Sequence, residues 1–86
     1  MARVTYSVVI ERKAKKQLKQ IPQKYQKKIK QTLMFLTVDP FAGKKLGGER
    51  KGEYSLRVWP YRIIYSIEKK KVTVYVLAIG HRQGIY

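Results

Sequence analysis

The 86-residue chain has no cysteine, which excludes a disulfide staple and a thiolate metal site. A reducing compartment is compatible with that composition. Histidine occurs once, and Asp and Glu together occur five times. That is too thin a donor set for a transition-metal centre, so neither a metal nor a small-molecule cofactor is expected. Apolar runs such as Leu33 to Leu36 are far too short to cross a bilayer. Residues 1–3 lead straight into an alternating segment rather than an apolar signal region, and a cytoplasmic location is expected. Proline occurs three times. Each copy marks a boundary: Pro22 suits the first turn of a helix, Asp39-Pro40 stops one, and Trp59-Pro60 joins two strands.

Negative charge is the other scarcity. Twenty Lys and Arg stand against five Asp and Glu, giving a net charge of +15. An excess of this size on a short chain costs stability through self-repulsion and points to a polyanionic partner. Nucleic acid, an acidic protein and an anionic membrane surface all answer that description. The length allows one domain, residues 1–86, burying about 60–65% of its unfolded surface.

Along the chain, Val4, Tyr6, Val8 and Ile10 alternate with Thr5, Ser7 and Val9, which predicts a strand over Arg3–Ile10. Ala14, Leu18 and Ile21 then recur at helical spacing among lysines. Tyr25, Ile29, Leu33 and Leu36 form one apolar stripe on a second helix from about Pro22 to Val38. Phe41 to Gly52 is an irregular, glycine-rich basic stretch without Walker spacing, a connector whose Lys44, Lys45, Arg50 and Lys51 are candidate contacts to a phosphate backbone. Two strands follow, then a turn at Glu68–Lys71 and a last strand over Val72–Ile79 with Val72, Val74, Val76 and Ala78 on one face. The order β-α-α-β-β-β predicts an α+β fold: a four-stranded, mainly antiparallel sheet with a helical hairpin on one face.

The central stretch is Glu53 to Tyr65, EYSLRVWPYRIIY. A two-residue loop at Trp59-Pro60 pairs Val58 with Tyr61 and Arg57 with Arg62. Like charges opposite one another destabilise a hairpin, and a bound anion is the simplest reason to place them there. Ser55 shares their face. The same face is expected to carry Ile64, Thr73, Tyr75, Leu77 and Ile79. A four-residue turn before the last strand would set Ala78 beside Tyr61 and bring His81 and Arg82 near the arginines. Trp59 is expected as a structural plug in the turn, and Met34 and Phe35 lie off the main helical stripe as surface for a partner.

Asp39-Pro40 through Lys44-Lys45-Leu46-Gly47-Gly48, Tyr54-Ser55-Leu56-Arg57-Val58, Tyr61-Arg62-Ile63-Ile64-Tyr65, and Gly80-His81-Arg82 with Tyr86 together resemble the RelE/ParE toxin superfamily. The resemblance is greater to the RelE-like, ribosome-dependent mRNA interferases, and it covers essentially the whole chain. It implies a metal-independent endoribonuclease that cuts mRNA in the ribosomal A site through attack of a 2′-hydroxyl on the adjacent phosphate. The partners it implies are a cognate antitoxin, mRNA and ribosomal RNA, with no membrane. By resemblance Arg62 and Arg57 stabilise the transition state, Arg82 protonates the leaving oxygen or clamps the phosphate, and Tyr86 stacks on or orients the nucleotide. Relatives with two lysines on the central strand would carry them where this chain has Ser55 and Arg57. Arginine stays protonated and is a poor base, which leaves His81 as the candidate acid/base group.

Two other readings fit parts of the sequence. A ParE-like gyrase poison without nuclease activity shares the fold, and a non-catalytic basic RNA-binding module explains the charge but not the facing arginines.

Overall fold

A computed structural model of the chain describes residues 4–81. Helix α1 (Arg12–Lys19) buries Ala14 and Leu18, one turn apart, and leaves its lysines in solvent. Lys16 and Lys19 sit in its last turn, where cations favour the negative end of the helix dipole. Helix α2 (Gln23–Val38) buries Ile29, Leu33 and Leu36, and Tyr25 lies half-buried. The joint between them is closed by Gln26, whose Nε2 donates to the Ile21 carbonyl at 2.7 Å. These apolar stripes cover one face of a sheet built from β1 (Ser7–Ile10), β2 (Lys44–Lys45), β3 (Glu53–Val58), β4 (Tyr61–Glu68) and β5 (Thr73–His81). Met34 and Phe35 are exposed on α2, as their position off the stripe implies.

The sheet order is β1-β5-β4-β3-β2, with β1 parallel to β5 and the other pairs antiparallel. The expected element order and layering hold. A fifth strand is added by β2, inside the stretch read as irregular: Lys44 pairs with Ser55 and Lys45 with Tyr54. Two residues give no periodicity to detect, and the pairing is fixed from outside the strand. The Tyr65 hydroxyl donates to the Pro40 carbonyl and accepts from the Gly43 N–H, each at 2.9 Å, which ties the loop before β2 to the core.

The register of β3 and β4 is the expected one, with Arg57 opposite Arg62 and Val58 opposite Tyr61 across a cis Trp59–Pro60 bond. Trp59 is 57% exposed, so it is not a plug. The β4–β5 register differs from expectation. Val72 belongs to the turn, at φ 50°, and the ladder runs from Glu68–Thr73 to Tyr65–Val76. A bulge then lets Ile64 pair with Ala78, Arg62 with Gly80 and Tyr61 with His81. One extra residue reverses the faces downstream of it. Ile79, expected on the uncovered face, therefore joins the main core, and Ala78 moves to the opposite face beside Ile64. Both Ile64 and Ala78 are buried there beneath Leu46 and Leu77, so this part of the second face has a small core of its own.

Candidate nucleic-acid interface

Two rows of side chains cross the face of the sheet opposite the helices. One runs from Lys44 through Ser55 and Ile64 to Ala78, and the next from Arg57 through Arg62 to Gly80. Alternation along each strand puts all of them on one side. Arg62 lies half-buried along the sheet, with its Nε shielded from solvent and its Nη1 donating to Ser55 Oγ at 3.4 Å. Arg57 is exposed. At the end of the second row Gly80 contributes no side chain, and in the first row Ala78 contributes a single methyl. Two cations held side by side on a rigid hairpin are suited to the non-bridging oxygens of a phosphate, because guanidiniums deliver directional, charge-assisted hydrogen bonds.

The end of β5 is fixed by a residue that the sequence did not single out. Strand β1 stops at Ile10, opposite Val76, so the rest of β5 has no strand neighbour on that side among the described residues. Gln17 of α1 fills the gap: its Oε1 accepts from the Ile79 N–H at 2.8 Å. No local pattern marks a glutamine for a partner 62 positions away.

The other candidates divide. His81 pairs with Tyr61, and its ring meets the Tyr61 ring edge-on with centroids 6.0 Å apart. Tyr61 in turn packs against Tyr25 on the helix side, so the imidazole and the guanidiniums lie on opposite sides of the sheet. The expected proximity of His81 to the arginine pair holds for the backbone and fails for the side chain, because the shifted register gives position 81 the parity of Tyr61. Lys44 and Ser55 share the arginine face. Lys45 faces the other way with Tyr54, Lys51 lies in the adjoining loop, and Arg50 forms an ion pair with Glu53 at 2.8 Å. Arg82 and Tyr86 lie outside the described residues. Among the described residues no cluster of His, Asp and Glu could hold a metal ion, and no helix is long and apolar enough to cross a membrane.

The family profile described as ParE toxin of type II toxin–antitoxin system, parDE, matches residues 8–86. The chain belongs to this RelE/ParE toxin family. It is similar to the toxin RelG of Mycobacterium tuberculosis, at 41% identity over 44 residues, and the match spans about half of each chain. A chain of the RelBE2 toxin–antitoxin complex from the same organism superposes with a TM-score of 0.87 at 29% identity, covering 94% of this chain and 95% of that one. A chain of the archaeal RelE–RelB complex from Pyrococcus horikoshii gives 0.81 at 26% identity, covering 93% and 98%. Within this RelE-like fold, the two arginine-bearing strands occupy the middle of the sheet and turn their cations to the side that the helical hairpin leaves uncovered.

Proposed function

We propose that this RelE/ParE-family chain is the toxin of a toxin–antitoxin pair and acts as a metal-independent endoribonuclease on mRNA in the ribosomal A site. The observation that carries the reading is the direct pairing of Arg57 with Arg62 on the uncovered face of the sheet. An RNA phosphodiester seated over them reacts when the 2′-oxygen attacks phosphorus. The 2′-O–P bond forms, the P–O5′ bond breaks, and the products are a 2′,3′-cyclic phosphate and a 5′-hydroxyl. The 2′-hydroxyl proton is lost, and a proton is delivered to the leaving 5′-oxygen. Charge grows on the equatorial oxygens during attack, where fixed guanidiniums stabilise it most. Arg62, held along the sheet beside Ser55, is pre-positioned for that task, and Arg57 adds a second cation. Lys44 extends the cationic surface along the same face. Arg82 is proposed to protonate the leaving oxygen or clamp the phosphate, and Tyr86 to stack on the nucleotide. The imidazole of His81 faces away from this surface, so acid–base work by His81 requires its side chain to leave Tyr61.

The proposed antitoxin has a surface available to it. Val8, Ile10, Leu33, Met34 and Thr37 form a groove of about 350 Å³ between β1 and α2, and Met34 is 72% exposed at its lip. Burial of such side chains, combined with charge complementarity to a basic chain, is a physical route to neutralisation.

A second reading is supported by the matched family profile, which is described by the ParE branch. In that reading the chain poisons DNA gyrase and cuts no RNA. The test is to add the protein to a translating extract and map mRNA ends by primer extension, with gyrase-dependent DNA breakage measured in parallel. Codon-phased cuts that vanish with Arg62→Ala support the nuclease. Intact mRNA with gyrase-dependent breaks transfers the function to the ParE reading.

A further inference from the structure

Lys45, Lys51 and Lys69 gather around a cavity of about 480 Å³ at the β2 edge of the sheet, where Tyr54 and Ile67 come from the helix side and Leu46 from the side that carries the arginines. Its apolar walls come from Leu46, Tyr54 and Ile67, and Lys45, Lys51 and Lys69 stand at its margin. Two of these lysines belong to the glycine-rich basic stretch that the RNA-binding face does not use. The walls are held in place from several directions. Tyr54 stacks on the buried Tyr65 at 5.4 Å, and the Leu46 N–H donates to the Glu53 carbonyl at 2.9 Å. Lys69 Nζ rests 5.4 Å from the centre of the Phe41 ring, which favours a fixed position for that ammonium. The one carboxylate on the wall, Glu53, is ion-paired with Arg50 at 2.8 Å, so its charge is offset locally.

We propose that this pocket seats a large apolar side chain, aromatic or leucine, of an acidic segment from a partner protein, with flanking carboxylates on Lys45, Lys51 and Lys69. The apolar walls select the anchor and the lysines select its surroundings. A hot spot of this form combines a desolvated pocket with a charged rim. A nucleobase fits less well, because its polar edge would be desolvated against Leu46, Tyr54 and Ile67 without partners. A second copy of this chain is disfavoured by its own net charge of +15. The inference is independent of the nuclease reading, since neither Arg57 nor Arg62 lines the pocket and it is present whether or not RNA is cut.

The probe is a fluorescein-labelled peptide with one phenylalanine centred among six glutamates, compared with the same peptide carrying alanine, by fluorescence anisotropy on the full chain. The phenylalanine peptide is expected to bind at least about tenfold more tightly than the alanine peptide, the order of one well-buried anchor. Gly47 has an ordinary φ of −114°, and a Cβ there would meet nothing within 4 Å. Gly47→Trp can therefore fill the pocket mouth without backbone strain, and it should erase the preference for phenylalanine. Lys69→Glu, on a surface turn, serves as a second variant and should weaken the phenylalanine peptide several-fold. Both variants should bind a ten-residue oligouridylate within about twofold of the wild type. Equal binding of the two peptides overturns the proposal, leaving charge alone as the attraction. A phenylalanine preference that survives both variants also overturns it, because the anchor then sits elsewhere. Loss of oligouridylate binding in step with the peptide assigns the pocket to RNA and overturns it as well.

Discussion

Removing the hydroxyl of Tyr65 tests the physical basis of strand β2. That oxygen donates to the Pro40 carbonyl and accepts from the Gly43 N–H, both at 2.9 Å, within a buried ring. Tyr65→Phe keeps the ring and its stacking on Tyr54 but leaves both backbone groups without that partner. Each buried group so stranded costs about 1–3 kcal/mol, and Gly43 is only part-buried. The variant should therefore be less stable by about 2–3 kcal/mol in all. With an m-value of about 1 kcal/mol per molar urea, the midpoint should fall by roughly 2–3 M. Gly43→Ala attacks the same joint from the other side, since a Cβ there would sit 2.5 Å from the Tyr65 hydroxyl oxygen and 3.0 Å from the Ser55 carbonyl. Overpacking of this kind costs about 1–3 kcal/mol. The hydroxyl causes the worst of that contact, so the double variant should be more stable than the sum of the singles by about 1 kcal/mol or more. Urea unfolding of the four proteins, followed by far-ultraviolet circular dichroism, measures the cycle. A Tyr65→Phe midpoint unchanged within 0.3 M (about a third of a kcal/mol at that slope) or a strictly additive double variant would refute the clamp.

Burial pushes the Tyr65 hydroxyl above its ordinary value of 10.0, with the Gly43 N–H pulling partly the other way. The raised group favours the neutral form in the fold, so its stabilisation is full below the unfolded value and is lost as pH rises through the folded one. The stability gap between wild type and Tyr65→Phe should therefore shrink as pH rises through and above the ordinary tyrosine value of 10.0, read by urea unfolding at each pH; a gap that widens contradicts the assignment. Arg62→Lys keeps the charge but loses the planar fork, and single-turnover cleavage should slow by at least about tenfold; a wild-type rate would reduce Arg62 to a point charge. His81→Gln should leave the pH profile of cleavage unchanged, because the imidazole faces Tyr61 rather than the arginines; loss of a limb near neutrality would show that His81 turns to the substrate. Trp59→Ala, at an exposed turn residue, should shift the unfolding free energy by less than about 1 kcal/mol; a larger loss would return Trp59 to a structural role.

The hairpin was legible because alternation and a two-residue loop fix register locally: Arg57 meets Arg62 whatever the rest of the chain does. The helices were legible for the same reason, since Ile29, Leu33 and Leu36 keep their period without tertiary help. Long-range features were not. The bulge beside Ile64 depends on how β5 meets β4, and it alone decides that Ile79 is core and that His81 faces the helices. Strand β2 is too short to show a pattern and is held by Tyr65, 22 residues from Gly43. The basic loop looked uniform as composition, yet the pleat separates Lys44, on the arginine side, from Lys45, on the pocket side. Charge counted along a sequence cannot say which face it serves.

The central claim is that the paired arginines form the phosphate site, and the rate of one bond cleavage measures it. Ribosomes programmed with a defined mRNA and excess toxin give a single-turnover rate for wild type and for Arg62→Ala, with circular dichroism confirming that both are folded. The account predicts a rate lower by about 10²–10³ for Arg62→Ala, the usual loss when one preorganised donor to a developing oxyanion is removed, with a 2′,3′-cyclic phosphate on the wild-type product. A folded Arg62→Ala protein that cleaves at the wild-type rate would contradict it.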